Sequence, residues 1–184
     1  MLKEIIEELV GTLETLVLGK DSIDYSKAAF TIGRFQPLTL GHMKMIDELK
    51  KFNKAYIFIV KGKKSSKDKD KNPFDFELQK EMIQKVAPKI EVIEIPSGYF
   101  VDEIEKLPEN EFYLLCGSDR VKAYQRMLDY LENKKVEIIE VPRSDDDISA
   151  TKVRQALKDN NKKEFEKMTP KEIHNYYDNL KKYL

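Results

Sequence analysis

The chain lacks several features that would assign a protein to a class at once. Among 184 residues it has one cysteine, two histidines and no tryptophan. A single cysteine excludes an internal disulfide and a zinc site built from several cysteines. No apolar run approaches the roughly 18 residues of a membrane span, and the N-terminus MLKEIIEELV carries acids inside its apolar pattern, unlike a secretory signal. These absences favour a cytoplasmic protein that does not use a membrane.

Net charge is missing as well. The 33 basic and 33 acidic side chains cancel to a formal charge of zero. Nucleic-acid-binding proteins usually carry a basic excess, so we do not expect a nucleic acid as partner. The sum hides two opposite regions, since residues 61–71 hold six lysines and two aspartates, whereas residues 1–25 hold two lysines and six acids. Positive charge is therefore concentrated in one segment.

What the sequence does contain is an alternation of strand and helix patterns. Apolar residues at three- and four-residue spacing predict an amphipathic N-terminal helix. Five runs rich in apolar residues predict strands, and each is followed by a helical pattern. The predicted strands lie near residues 28–32, 54–60, 89–96, 111–117 and 134–142, and the last helices near 150–158, 161–168 and 170–184.

This alternation predicts an α/β, Rossmann-like fold with a doubly wound parallel five-stranded sheet, extended by N-terminal and C-terminal helices. We divide the chain into an N-terminal helix (1–25), a central domain (26–158) and a C-terminal helical extension (159–184). The N-terminal helix packs either on its own sheet or on a second subunit, which leaves a homo-oligomer open. The C-terminal helices cover either the sheet or its ligand edge. Ligands of such folds bind beyond the carboxyl ends of the strands.

The loop after the first strand reads GRFQPLTLGH, from Gly33 to His42. Backbone N–H groups at a helix start carry partial positive charge and bind phosphate, and glycines allow close approach. The plainer alternative is a strand-to-helix turn capped by Thr39. The loop resembles the signature of the H/T-x-G-H nucleotidyltransferase superfamily. GRFQP is typical of archaeal-type nicotinamide-mononucleotide adenylyltransferases, whereas the T-x-G-H form occurs in phosphopantetheine adenylyltransferases. Some phage-encoded relatives share this look.

Three further segments resemble elements of the same superfamily. ISATKVR, from Ile148 to Arg154, is similar to its I-S-S-T-x-x-R element, with the alternative of a simple helix cap. Gly117-Ser118-Asp119 is similar to a G-[AS]-D element whose acid contacts ribose or substrate, or else it caps a helix. Asn72-Pro73-Phe74 resembles the N-P-F stretch on the nicotinamide side, where Phe74 stacks on a base or serves as a hydrophobic staple.

The resemblance implies attack of a substrate phosphate on the α-phosphorus of ATP, with pyrophosphate leaving. It implies ATP and a small phosphorylated acceptor as partners and Mg²⁺ as cofactor, held mostly by phosphates and water. No protein metal site is predicted, and the aspartates at 145–147 are interpreted as a solvated loop. The implied catalytic residues are His42, Thr39 and Arg154; the nucleotide-binding residues are Gly33, Arg34, Phe35, Gly41, Gly117, Asp119, Ile148, Ser149 and Thr151; the substrate-binding residues are Asn72 and Phe74.

The acceptor stays open between nicotinamide mononucleotide, which GRFQP and N-P-F favour, and another phosphate ester such as phosphopantetheine or a sugar or polyol phosphate. A non-catalytic nucleotide-binding module is a further alternative. Lys61, Lys63 and Lys64 follow the second strand and belong to a solvated loop or to a lid over nucleotide. His174 is interpreted as a packing or surface residue, and Cys116 as part of a core strand.

Overall fold

The computed structural model describes residues 22–61, 67–143 and 148–184. Residues 1–21, which hold most of the predicted N-terminal helix, lie outside these ranges, as do Lys63, Lys64 and the aspartates at 145–147. Residues 22–25 are described and are not helical. Within them, no helix is long and apolar enough to span a membrane.

Five strands form one sheet in which every neighbouring pair is parallel. The strand order is β3-β2-β1-β4-β5, so the first strand is central and the winding direction reverses beside it. This is the topological switch point at which doubly wound folds bind ligands. The predicted α/β fold is confirmed. The strands are β1 (Ala28–Gly33), β2 (Lys54–Val60), β3 (Glu91–Ile95), β4 (Glu111–Cys116) and β5 (Lys135–Glu140).

Helices follow each strand and continue to the end of the chain. They are α1 (Leu40–Leu49), α2 (Phe76–Val86), α3 (Val101–Lys106), α4 (Val121–Leu128), α5 (Ala150–Lys158), α6 (Lys162–Met168) and α7 (Tyr177–Lys181), with a 3₁₀ helix at Lys171–Tyr176. The predicted single helix over 170–184 is therefore two elements. Its first part is wound more tightly, with the N–H of Ile173 donating to the Pro170 carbonyl at 3.1 Å.

The sheet is covered on both faces because its strands alternate apolar side chains between two cores. Phe30 of β1 belongs to one core with Phe58 and Phe112, while its neighbour Ala29 belongs to the other with Ile57. A strand with two buried faces is expected to be apolar along its whole length, and four of the six residues of β1 are buried. The apolar runs in the sequence therefore mark the interior strands directly.

The C-terminal extension packs on the sheet. Phe165, Ile173 and Leu180 are fully buried and belong to the same core as Ile57 and Leu115. Of the two alternatives for these helices, covering the sheet is the one that the core shows.

Phe30 is the best single test of this packing, because its fully buried ring contacts the rings of Phe58, Phe100 and Phe112 at centroid distances of 5.3–5.9 Å. We expect Phe30→Ala to lower the free energy of unfolding by about 3–5 kcal/mol, as large-to-small core changes do. Urea denaturation measures this. Tyr130→Ala is the control, since Tyr130 is 66% exposed and should cost less than about 1 kcal/mol. Equal losses in the two variants would contradict the assignment of Phe30 to the core.

Candidate active site

A cavity of about 390 Å³ opens at the carboxyl edge of the sheet, beside the switch point. Residues from the ends of β1, β2 and β4, from the segment after β5 and from the start of α1 line it. Seven of the predicted site residues lie there together, namely Gly33, Arg34, Phe35, Gly41, His42, Gly117 and Asp119. The expectation that the chemistry-bearing loops converge at one sheet edge fits this arrangement.

The T-x-G-H segment forms the N-terminal cap of α1. Thr39 is the N-cap residue and is 2% exposed. Its backbone N–H donates to Nδ1 of His42 at 3.0 Å, and its Oγ1 lies 3.1 Å from the same nitrogen. This reciprocal cap satisfies an N–H that the helix leaves unpaired. It also places the first residue of α1 at Leu40. The spacing of Thr39 and His42 therefore fixes the orientation of the imidazole.

His42 is a neutral imidazole with a defined proton position. Burial lowers its pKa from 6.5 to about 4, because the charged form loses hydration. Since Nδ1 accepts a hydrogen bond from the Thr39 backbone, the ring proton is assigned to Nε2. The ring of Phe35 packs against the imidazole with centroids 4.6 Å apart. His42 thus offers an N–H donor to the cavity without carrying a charge.

The loop after β1 is held by its backbone carbonyls. Nε2 of Gln79, on α2, donates to the carbonyl oxygens of Arg34 and of Phe35, the latter at 2.8 Å. Nη1 of Arg154 donates to the carbonyl oxygen of Gln36 at 2.6 Å. Three consecutive carbonyls of an irregular segment are therefore satisfied by two buried side chains, as buried backbone requires.

Phe35 has a left-handed backbone with φ of 47°, which non-glycine residues seldom adopt. This turn lays its ring over Gly33, where a Cβ would come within 2.7 Å of the ring. Only glycine fits at position 33 while Phe35 keeps this place.

The N-P-F segment is tied to the same loop. The side-chain amide of Gln36 forms two bonds with Phe74, donating to its carbonyl at 2.9 Å and accepting from its N–H at 2.9 Å. Nζ of Lys61 also donates to that carbonyl at 2.6 Å, and burial lowers the pKa of Lys61.

The ring of Phe74 is 1% exposed and packs on Tyr183 at 5.9 Å. The ring lies in the core and does not line the cavity. A hydrophobic staple would pair Phe74 with an apolar fourth residue of α2, but that residue is the polar Gln79, so Phe74 forms no staple. Asn72 is partly buried, and its amide donates to the carbonyl of Asp68 at 3.4 Å. Neither residue lines the cavity.

The I-S-A-T-x-x-R segment adjoins the first loop although it lies far along the chain. A Cβ on Gly41 would lie 3.6 Å from the carbonyl oxygen of Ile148. Ser149 is the N-cap of α5, and its Oγ accepts from the N–H of Lys152 at 3.2 Å. Thr151 is exposed, and Nη2 of Arg154 donates to its Oγ1 at 3.2 Å. Ser149 is therefore a helix cap, and its segment also lies beside the loop after β1.

Arg154 is 8% exposed and does not line the cavity. Burial, and after it the like charge of Arg34, lower the pKa of this guanidinium. Within the described ranges no carboxylate bonds to either arginine, so these two cations make the loop electropositive.

The G-S-D segment follows β4 at the opposite wall. Asp119 does not cap α4, whose N-cap is Arg120. Its carboxylate is bound instead by Nη2 of Arg143, 3.1 Å from each oxygen, and by Nε of Arg120 at 3.6 Å. Ser118 is exposed and forms no cap. Asp119 thus belongs to a charged rim of the cavity.

The charge of the cavity is positive on balance. Among the described residues that line it, Arg34, Lys44, Arg120 and Arg143 are cations and Asp119 is the one acid. This balance suits a polyanionic ligand.

The remaining groups with metal-binding or nucleophilic chemistry are the cysteine, the second histidine and the acids. Within the described ranges no three His, Cys, Asp or Glu side chains cluster as a metal site. Burial raises the pKa of the Cys116 thiol to about 11, so it is no thiolate nucleophile near neutral pH. The other histidine, His174, lies in the C-terminal extension with Nε2 at 3.1 Å from the carbonyls of Glu166 and Thr169.

Three polar residues at the site were not predicted from the sequence, namely Gln36, Gln79 and Arg143. Gln79 had a readable signal, because it interrupts the apolar face of α2 formed by Leu78, Met82, Ile83 and Val86. A polar residue on a buried helix face needs a buried partner. Arg143 had none, since its partner Asp119 is distant in sequence.

The fold and the cationic cavity at the switch point define a nucleotidyltransferase-like α/β protein. The sequence profile of the cytidylyltransferase-like family matches residues 30–156, and the chain belongs to that family.

Similar solved structures share this fold at low identity. One is a Vibrio parahaemolyticus protein provisionally assigned as a nicotinate-nucleotide adenylyltransferase, with a TM-score of 0.58, 15% identity, and coverage of 83% of this chain and 98% of that one. Another is Thermotoga maritima TmcAL bound with alpha-thio ATP, with a TM-score of 0.55, 10% identity, and coverage of 81% and 54%. Among curated proteins no significant sequence match is found.

The protonation of His42 is testable by NMR, because the chain has only two histidines. We expect its ring to carry the proton on Nε2 and to titrate near pH 4 rather than near the ordinary value of about 6.5. The histidine of the unfolded chain gains a proton as pH falls through about 6.5, whereas the folded one does not. Stability from this residue is therefore present at neutral pH and is lost as pH falls toward 4.

His42→Asn assigns the ring signals and removes this titration, so its stability should fall less between pH 7 and pH 4 than that of the parent. His174→Asn is the matched control. A His42 midpoint near the ordinary value, or a proton on Nδ1, would contradict the geometry.

Proposed function

We propose that the protein transfers the AMP moiety of ATP to the phosphate of nicotinamide mononucleotide, forming NAD and releasing pyrophosphate. The observation that carries this proposal is the neutral imidazole of His42, which faces a cationic cavity while its Nδ1 is held by the Thr39 backbone. A fixed N–H donor of this kind stabilises negative charge that grows on a phosphoryl oxygen during transfer.

The reaction needs positioning more than a covalent nucleophile. A phosphate oxygen of the acceptor forms a bond to the α-phosphorus, and the bond from that phosphorus to the oxygen bridging to the β-phosphate breaks. The electron pair leaves with pyrophosphate. In-line transfer of this type depends on alignment and charge neutralisation, which is consistent with the protonated thiol of Cys116.

The residues of the loop after β1 and of the start of α5 have separate roles in this reaction. Nε2–H of His42 donates to an α-phosphate oxygen, and Arg34 neutralises charge near the first loop. Thr39 keeps His42 in place, since its own side chain is buried. Thr151 and Arg154 are assigned to the leaving pyrophosphate. Neither lines the cavity, so this role requires a contact beyond those that Arg154 makes with Gln36 and Thr151.

Mg²⁺ fits this site only as an ion carried by the nucleotide. Asp119 is the one carboxylate among the described lining residues, and two arginines already bind it. A hard cation with phosphate and water ligands needs few protein oxygens. When bound, the ion would neutralise charge on the triphosphate, and Asp119 is the residue that would approach it.

Two hydrogen-bonded segments support nicotinamide mononucleotide as the acceptor. GRFQP and N-P-F both resemble archaeal-type nicotinamide-mononucleotide adenylyltransferases, and the Gln36 amide pairs with the backbone of Phe74 through two hydrogen bonds. This pairing supports treating the two segments as one unit. The alternative is another phosphorylated acceptor, which the threonine of the T-x-G-H segment favours.

A screen of pyrophosphate release tests the proposal. Purified protein with Mg²⁺ is supplied with ATP or CTP and with nicotinamide mononucleotide, nicotinate mononucleotide, phosphopantetheine, or sugar and polyol phosphates. We expect release with ATP and nicotinamide mononucleotide, together with NAD by mass spectrometry. Release of pyrophosphate with a different acceptor alone would contradict nicotinamide mononucleotide as the substrate and would still support nucleotidyl transfer. No release with any pair would favour a nucleotide-binding module without activity.

His42→Ala should lower turnover by about 10²–10³-fold while the protein stays folded, because one preformed donor to the transition state is removed. Steady-state kinetics with the acceptor from the screen measure this, and circular dichroism checks the fold. His174→Ala serves as the control and should retain turnover. Near-normal turnover of His42→Ala would contradict the role given to the imidazole.

A further inference from the structure

Gln79 is a buried amide whose side-chain hydrogen bonds to the described residues go to the loop after β1. It is 1% exposed and lies on the apolar face of α2. Its Nε2 donates to the carbonyls of Arg34 and Phe35, which uses both amide hydrogens. Its Oε1 has no hydrogen-bond partner among the described residues. A buried amide is costly unless it is bonded, so its place is explained by the two carbonyls it holds.

These bonds fix the direction of two peptide groups. The peptides joining residues 34 to 35 and 35 to 36 are trans, so the N–H of each points away from its own carbonyl. Because Gln79 holds the carbonyls of Arg34 and Phe35 on the α2 side, the N–H groups of Phe35 and Gln36 are directed away from α2, and of these two residues Phe35 lines the cavity. Successive N–H groups on one side of a turn that includes a left-handed residue form a concavity for anions.

The same bonds fix the Phe35 ring. Phe35 has φ of 47°, and its carbonyl is held at 2.8 Å by Gln79. Its ring packs 4.6 Å from the ring of His42 and covers Gly33. Rotation of either peptide would move that ring, and with it the surface against which the imidazole rests.

We propose that Gln79 is a positioning residue, which orients the loop N–H groups toward the phosphates and holds Phe35 against His42. This inference rests on the proposed function, since it assigns Gln79 to the same reaction. Gln79 does not line the cavity and would act through the loop.

Gln79→Met and Gln79→Glu test the proposal. Both side chains have nearly the size of glutamine and lack its N–H donors, and glutamate remains polar. If one variant fails to fold, the other still tests the proposal. We expect kcat to fall about 10- to 100-fold for the loss of two buried hydrogen bonds, with the KM for ATP changing less than about threefold. In the His42→Ala background the further loss should be below about threefold, because the two residues act as one unit.

Gln155→Met is the matched control, since Gln155 is an exposed helical glutamine that donates to Asp159 at 2.8 Å. The NMR signals of the His42 ring should shift in both Gln79 variants and remain in place in Gln155→Met. This readout needs no activity, so it still decides the positioning role if no nucleotidyl transfer is found. Unchanged His42 signals, or equal losses of kcat with and without His42, would overturn the proposal.

Discussion

The loop after β1 is irregular but largely buried, so its backbone carbonyls must find hydrogen-bond donors outside the regular pairing of helices and strands. Its carbonyls at Arg34, Phe35 and Gln36 cannot bond within a helix or sheet, so each takes a donor from a distant buried side chain. The donors are Gln79 from α2 and Arg154 from α5. Both flanking helices are thereby joined to the central strand at the point where the ligand cavity opens.

The same constraint brings two widely separated motifs together. Arg154 donates both to Gln36 and to Thr151, so one guanidinium links the first loop to the start of α5. Arginine suits this task, since its planar group holds two partners at fixed angles and keeps its charge when buried. The Gln36 side chain extends the connection to Phe74. These bonds connect the loop after β1 to the start of α5 and to the segment before α2.

Much of the fold could be predicted from the sequence, because a parallel sheet with two buried faces requires continuous apolar strands such as β1. The cap at Thr39 could also be predicted, since a helix cap depends on local residues alone. The partners of Gln36 and Gln79 could not be predicted, because they depend on which segments the fold brings together. Phe74 illustrates the limit: an aromatic residue near a ligand loop suits either stacking or core packing, and burial decided for the core.

A crystal structure with a non-hydrolysable ATP analogue would show which atom of His42 contacts the triphosphate. We expect an α-phosphate oxygen within hydrogen-bonding distance of Nε2 of His42, with Nδ1 still bound by the Thr39 backbone. We also expect the triphosphate to lie against the loop N–H groups of the cavity. An analogue bound away from this loop, or a histidine that contacts phosphate through Nδ1, would contradict this expectation.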